Sequence, residues 1–359
     1  KLAADQGHPG AQSNIGILYE HGRGVPMSMT EAIRWFKLAA DNGESYAKSA
    51  LASLQGSQTD PVEAVHTQQS QVSPQPRVSQ QLQSSDKGLD RLLSELNAMT
   101  GLANVKSEIY LLVQFVRVQK LRIDHGLNAD DISLHSVFTG SPGTGKTTVA
   151  RLYGQMLKEL GFLSKGHLVE TDRTGLVAGY VGQTELKTDE KIREALGGIL
   201  FIDEAYSLFK GDTAVWDFGQ EVISVLLKRM EDHRDDLVVI VAGYPEPMQT
   251  FLDSNEGLRS RFSNYIHFDD YSPDELLSIL QYFCNKSNYQ MTQDAVSKAS
   301  VLITRAYNSR DQRFGNARYV RNLFESIRKN QSVRIAETLK TPTAPQLQEI
   351  VGDDVPRLP

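Results

Sequence analysis

Short apolar runs alternate with amphipathic stretches from about residue 88 onward. Ser136-Val-Phe-Thr139, His167-Leu-Val-Glu170, Ile199-Leu-Phe-Ile202, Leu237-Val-Val-Ile-Val-Ala242 and Tyr265-Ile-His-Phe268 have the length and β-branched content of buried strands. Helical stretches separate most of them, which predicts a parallel sheet with crossover helices. After Ser272 the period changes to that of helices, over Asp274–Asn285, Thr292–Asn308 and Tyr319–Thr338. The pattern predicts an α/β core over residues 88–271 and a small helical subdomain over 272–359.

The N-terminal part has a different rhythm. Lys1-Leu-Ala-Ala-Asp-Gln-Gly7 recurs as Lys37-Leu-Ala-Ala-Asp-Asn-Gly43, and Ala11 matches Ala47 at the same offset. Between the copies lie Ile15-Gly16-Ile17-Leu18-Tyr19, the glycine-rich His21-Gly-Arg-Gly-Val-Pro26, and Ala32-Ile33-Arg34-Trp35-Phe36. This spells helix, turn, helix, with Gly16 and the alanines allowing close contact and Leu18, Tyr19, Trp35 and Phe36 filling the groove. One such unit cannot bury its apolar face alone, so stacked copies are expected. Residues 56–87 are rich in Gln and Ser with three prolines and little to bury, and are expected to be a flexible linker.

Composition adds exclusions. The apolar share of 40% and charged share of 23% are those of a globular protein. The longest apolar runs fall far short of the roughly 20 residues of a membrane span, so no membrane insertion is expected. The single cysteine, Cys284, excludes an internal disulfide and a cysteine zinc cluster. A net charge of −6, from 38 Lys+Arg against 44 Asp+Glu, argues against a nucleic-acid footprint.

Gly140-Ser-Pro-Gly-Thr-Gly-Lys146-Thr147 fits G-x4-G-K-[ST], follows a strand and opens a helix, which is the context that motif needs. Gly140, Pro142, Gly143, Thr144, Gly145, Lys146, Thr147 and Thr148 are thus candidate nucleotide-binding residues. Their backbone N–H groups would wrap phosphates at a helix N-terminus. Lys146 would neutralise the β and γ phosphates, and the Thr147 hydroxyl would ligate Mg²⁺. Ile199-Leu-Phe-Ile-Asp203-Glu204 ends an apolar strand in two acids: Asp203 would hold the metal and Glu204 would polarise the attacking water. ATP and Mg²⁺ are therefore the expected cofactors, and ATP hydrolysis the expected reaction.

Two resemblances sharpen this picture. Residues 1–55 resemble Sel-type repeats, relatives of the tetratricopeptide repeat, cut so that further copies are expected upstream of Lys1. That resemblance implies a partner-binding scaffold; a small helical cap is the alternative. Residues from about 95 to 355 resemble the CbxX/CfqX subfamily of AAA+ ATPases, the group containing red-type Rubisco activase. The segments that carry it are Phe138 to Arg151 around the phosphate loop, Gly198-Ile-Leu-Phe-Ile-Asp-Glu-Ala-Tyr-Ser-Leu208, Asp236 to Tyr244 and Gly257-Leu-Arg-Ser-Arg-Phe262.

The AAA+ resemblance implies a parallel five-stranded P-loop core with a helical lid and assembly into a ring, six-membered in this subfamily. It also implies further site residues. Val105, in Gly101-Leu-Ala-Asn-Val105, stands on the adenine side. Arg259 and Arg261, two apart on what reads as a strand-like segment, stand where a trans-acting arginine finger is placed, and Arg261 is favoured. Each could instead pair within its own subunit. Arg318, in Gly315-Asn-Ala-Arg318, stands at the sensor-two position, with Arg321 as its rival one turn later. Where many members carry a sensor-one Asn, this chain has Ala242-Gly243-Tyr244. Tyr180-Val181-Gly182 has the form of a pore loop able to grip a polypeptide; a buried tyrosine on an ordinary loop is the alternative.

These readings imply a ring ATPase that threads or remodels a protein client, with the repeats recruiting partners, in the cytoplasm of a bacterium. The arrangement resembles type VII secretion ATPases, which join tetratricopeptide repeats to this ATPase type. A nucleotide-controlled scaffold with slow turnover and a DNA-acting AAA+ ATPase are the competing readings.

Overall fold

The computed structural model describes residues 9, 12–13, 15–17, 29–42, 47–48, 51, 78–128, 133–178, 183–209, 218–311 and 313–357. The chain divides into two compact units, Lys1–Pro74 and Gln75–Pro359.

In the first unit, helix α1 (Met29–Asp41) buries Ala32, Phe36 and Ala39, spaced four and three apart on one face. Ala47 joins them in the core, and Ile17, Ala40 and Leu51 pack around it. Gly16 lies flat against Phe36; a Cβ there would come 2.8 Å from the ring. Asn42 donates to the Gln12 side chain at 2.8 Å. Leu18 and Tyr19 lie outside the described residues.

The second unit opens with α2 (Val78–Ala98), which begins inside the stretch expected as linker. Its Leu89, Leu92 and Leu96 are buried as a 3–4-spaced stripe. Once such a stripe docks, the preceding Gln and Ser residues extend the helix at little cost, because propagation is far easier than nucleation. Helix α3 (Ala103–Asp124) follows, burying Val105, Ile109, Val113 and Val116.

Then come β1 (Ser136–Gly140), α4 (Lys146–Glu159), β2 (Leu168–Thr171), α5 (Arg173–Leu176), α6 (Gln183–Ala195) and β3 (Gly198–Ile202). A 3₁₀ turn at Ala205–Leu208 leads to α7 (Gly219–Asp232), β4 (Leu237–Gly243), α8 (Pro245–Asp253), α9 (Glu256–Arg261) and β5 (Asn264–Phe268). The five strands form one parallel sheet in the order β2-β3-β4-β1-β5. Alternation divides its residues between two cores. Phe138, Ile199, Phe201, Ile240 and Ala242 face α2, α3 and α4, whereas Val137, Leu200, Ile202, Val239 and Val241 face α6 to α9. The strand order places the C-terminal ends of β3, β4 and β1 side by side, the crevice where α/β sheets bind ligands.

The subdomain after the core contains α10 (Pro273–Lys286), β6 (Gln290–Met291), α11 (Gln293–Asn308), α12 (Ala317–Thr338), α13 (Ala344–Gln348) and β7 (Glu349–Ile350). A capping box between Ser272 and Glu275 starts α10. The β6–β7 pair, two residues per strand, is too short to leave a periodic signature in the sequence. The fold is the expected one: an α/β P-loop core carrying a helical lid, with helices at the N-terminus.

One local expectation is corrected. Arg259 and Arg261 sit on a six-residue helix, α9, not on a strand-like segment. Asn255 caps that helix, its side chain accepting the Gly257 N–H at 2.8 Å, and so supplies the start signal. Helical geometry puts residues two apart on different faces, as a strand-like segment would not.

Candidate nucleotide site

The loop between β1 and α4 needs glycine for two separate reasons. Gly140 has φ +142°, and a Cβ there would stand 2.3 Å from the Phe268 carbonyl oxygen of neighbouring β5. Gly143 has φ +73°, and its Cβ would stand 2.2 Å from the Gly315 carbonyl oxygen of the lid. The first position is fixed by the sheet and the second by the lid.

Lys146 opens α4 and turns its ammonium back over the loop, donating to the carbonyls of Gly140 and Ser141 at 2.8 Å each. Burial lowers its pKa to about 8, and the charge of Arg318 adds to that; Asp203 and Asp270 oppose it. A lysine held this way is short of anionic partners. That is the electrostatic condition of a phosphate-binding amine.

At the end of β3, Asp203 accepts the Glu204 N–H at 3.0 Å, and its own N–H donates to the Thr171 carbonyl at 2.8 Å. Glu204 has φ +49°, a left-handed conformation for a residue with a Cβ. Such strain is typical of functional turns. Beyond it Tyr206 lies 6.2 Å, ring to ring, from Tyr244 at the end of β4. Burial first, then the charge of Glu204, raises the Tyr206 pKa to about 12.

These elements surround a cleft of about 450 Å³. Gly140, Pro142, Gly143, Gly145, Lys146, Thr147 and Thr148 line it together with Asp203, Glu204 and, from the lid, Arg318. Thr144 is fully buried behind the loop, its hydroxyl donating to the Ser141 carbonyl at 2.9 Å. Val105 is buried in the core and does not line the cleft; Met99 and Leu102 reach closest to Gly145 from that segment. Arg259 and Arg261 are also outside the cleft. Arg259 pairs with Asp253, and Arg261 with Glu231 at 3.2 Å. Tyr180, Val181 and Gly182 lie outside the described residues.

The sequence shows Tyr206 and Asn316 only as members of motifs, with no role assigned, and does not point to Phe283 or Tyr271. Tyr244 was marked only as a departure at the end of β4, and Arg321 only as a rival to Arg318. Both line the cleft, as does Phe283.

Two family models match this chain: AAA, the ATPase family associated with various cellular activities, over residues 136–270, and the AAA lid domain over 272–358. A protein CfxQ homolog from Trieres chinensis is 43% identical over 269 residues, covering 74% of this chain and 91% of that one. The chain belongs to the CfxQ-type AAA+ ATPases. Another relative, the chloroplastic ribulose bisphosphate carboxylase/oxygenase activase of Cyanidioschyzon merolae, is 43% identical over 265 residues, 74% of this chain and 89% of that one. In fold, the AAA domain of FIGL-1 in complex with ADP superposes with a TM-score of 0.50 at 18% identity, covering 71% of this chain and 80% of that one.

As a CfxQ-type AAA+ protein the chain is an ATPase. No helix among the described residues is long and apolar enough to cross a membrane.

Proposed function

We propose that this protein is a ring-forming, Mg²⁺-dependent ATPase that remodels or threads a protein client. One observation carries the reading: the arginines lining the cleft, Arg318 and Arg321, both come from the lid, while Arg259 and Arg261 stand apart on α9. A cleft equipped with Lys146, Asp203 and Glu204 but, among the described residues, no arginine from the core is suited to completion by a neighbouring copy, with Arg261 or Arg259 stabilising charge on the transferring phosphoryl group.

Mg²⁺ fits the residues present. Among the described residues no cluster of three or more His, Cys, Asp or Glu exists, and the cleft offers the Thr147 hydroxyl and the Asp203 carboxylate. Mg²⁺ commonly takes one or two protein ligands and fills its shell with water and substrate phosphate. When bound it would offset phosphate charge. Lys146 would neutralise the same phosphates, Glu204 would accept a proton from the attacking water, and Arg318 would bridge nucleotide and lid.

In this reading six subunits form the ring, and Tyr180 and Val181 grip an extended segment of the client in its pore. Residues 1–55 are Sel-type repeats that recruit partners and 56–87 a tether to the ATPase core and lid, and the whole works in a bacterial cytoplasm. A relative named as an activase of ribulose bisphosphate carboxylase/oxygenase supports a protein as the client, and the net charge of −6 disfavours nucleic acid. The test is specific ATPase rate against protein concentration, with Glu204→Gln and Arg261→Ala in parallel. The rate per subunit should rise cooperatively and both variants should abolish it. A substantial, concentration-independent rate surviving Arg261→Ala would overturn the shared site. A near-zero rate with tight ATP binding would point to the nucleotide-controlled scaffold instead.

A further inference from the structure

Three consecutive carbonyls of the phosphate loop are held by donors at the end of the core and on the lid. The Gly143 carbonyl accepts the Ala317 N–H at 3.2 Å, and the Thr144 carbonyl accepts the Tyr271 hydroxyl at 3.1 Å. Asn316 Nδ2 lies 3.4 Å from the Pro142 carbonyl, the longest bond of the three.

Asn316 is the centre of this contact. It is fully buried, and its Oδ1 accepts the Tyr271 N–H at 3.0 Å. Its Nδ2 also donates to Asp270 Oδ1 at 2.8 Å and to the Phe314 carbonyl at 3.2 Å. One donor and several acceptors surround the amide, so only one orientation satisfies it. Its backbone, at φ +46° and ψ −121°, is strained for a residue with a Cβ and persists because these bonds hold it.

A trans peptide unit is planar, and its C=O and the following N–H point in opposite directions. Holding the carbonyls of Pro142, Gly143 and Thr144 toward the lid therefore turns the N–H groups of Gly143, Thr144 and Gly145 toward the cleft. The carbonyls of Gly140 and Ser141 face Lys146 instead, 2.8 Å from Nζ. The direction of the peptide planes reverses at Pro142, the one loop residue with no N–H to misdirect.

We infer that Tyr271, Asn316 and the Ala317 N–H form a clamp that pre-orients the phosphate-binding N–H groups of the loop, so that nucleotide affinity depends on positioning residues outside the loop itself. The inference rests on the reading of this cleft as the nucleotide site. Burial, followed by the nearby Glu275, raises the Tyr271 pKa to about 12, so its hydroxyl stays a donor at neutral pH. By linkage, whatever displaces the lid loosens the phosphate donors, and bound phosphates resist lid displacement to the same degree.

The experiment measures dissociation constants of ADP and of adenosine for the full chain, as wild type, Tyr271→Phe and Asn316→Gly. Phenylalanine removes a single hydroxyl. Glycine relieves the strained backbone while deleting every side-chain bond, so a purely conformational role for Asn316 would leave affinity intact or raise it. Tyr271→Phe should weaken ADP roughly three- to tenfold, the scale of one net hydrogen bond, Asn316→Gly at least as much, and both should leave adenosine unchanged. Unchanged ADP affinity in both variants would overturn the clamp, as would equal losses for ADP and adenosine, which indicate a displaced lid. A wild type that binds ADP no better than adenosine would overturn both the clamp and the nucleotide reading.

Discussion

The carboxylate of Asp203 accepts the backbone N–H of Glu204 at 3.0 Å. This bond ties two consecutive acids together while the left-handed backbone of Glu204 separates their directions. One acid is held by the chain, and the other is free to work in the cleft.

Glu204→Gln keeps size and backbone and removes the proton acceptor. ATP affinity should stay within a few-fold while turnover falls by roughly two to four orders of magnitude, the range for a lost general base. Nucleotide titration and single-turnover phosphate release on one preparation check both halves.

Lys146 should be an unusually reactive amine. With its pKa lowered to about 8, a substantial neutral fraction exists at pH 8, where ordinary lysines near 10.5 are charged. Acylation followed by mass spectrometry should label Lys146 half-maximally near pH 8 in the nucleotide-free protein, and ADP should protect it. Stability follows the same sign. The folded value lies below the unfolded 10.5, so the charged amine costs stability at low pH, and that cost fades as pH rises from about 8 toward 10.5. Lys146→Met should lose this pH-dependent gain.

His135 ties the sheet to the helix that carries the arginines. Its Nδ1 accepts the Val239 N–H at 3.0 Å, and its ring meets Phe262 edge-on at 6.2 Å, next to Arg261. Burial lowers its pKa to about 4, which the charge of Arg261 reinforces and a bond to the Met230 carbonyl opposes. The unfolded chain therefore takes up a proton first as pH falls. Stability should be level above about pH 6.5 and drop between 6.5 and 4, by up to roughly 3 kcal/mol from this group alone. His135→Asn should flatten that part of the curve in urea unfolding at stepped pH.

Gly143→Ala and Gly161→Ala form a matched pair. Both glycines have positive φ, +73° and +77°. A Cβ at Gly143 would strike the Gly315 carbonyl at 2.2 Å, whereas at Gly161 the nearest atom is Lys120 Cε at 4.0 Å. Gly161→Ala should cost only backbone strain, about 1 kcal/mol, with ADP affinity unchanged. Gly143→Ala should push lid from loop and weaken ADP at least tenfold. Thermal melts and ADP titration of both separate strain from collision.

The elements were legible wherever the signal is local. The five strands announce themselves as apolar runs, and the helix after Lys146 by its glycine-rich start. Strand and helix limits fall within a residue or two of those read from the pattern, apart from α2, which starts inside the expected linker because the leucine stripe at its far end anchors it. The helical state of Arg259 and Arg261 was missed because Asn255 reads equally as a turn residue and as a cap.

The sequence by itself determined the phosphate loop, the paired acids of β3 and the family, because each depends on a few consecutive residues whose backbone conformation their own chemistry dictates. Only the tertiary structure decided that Tyr271, Asn316 and Gly143 belong to one device. Asn316 reaches Pro142 across 174 positions of chain and Tyr271 reaches Thr144 across 127. Such pairings arise from how the lid docks on the ends of β1 and β5, and a buried hydrogen bond between distant segments leaves no period, spacing or composition from which to read it.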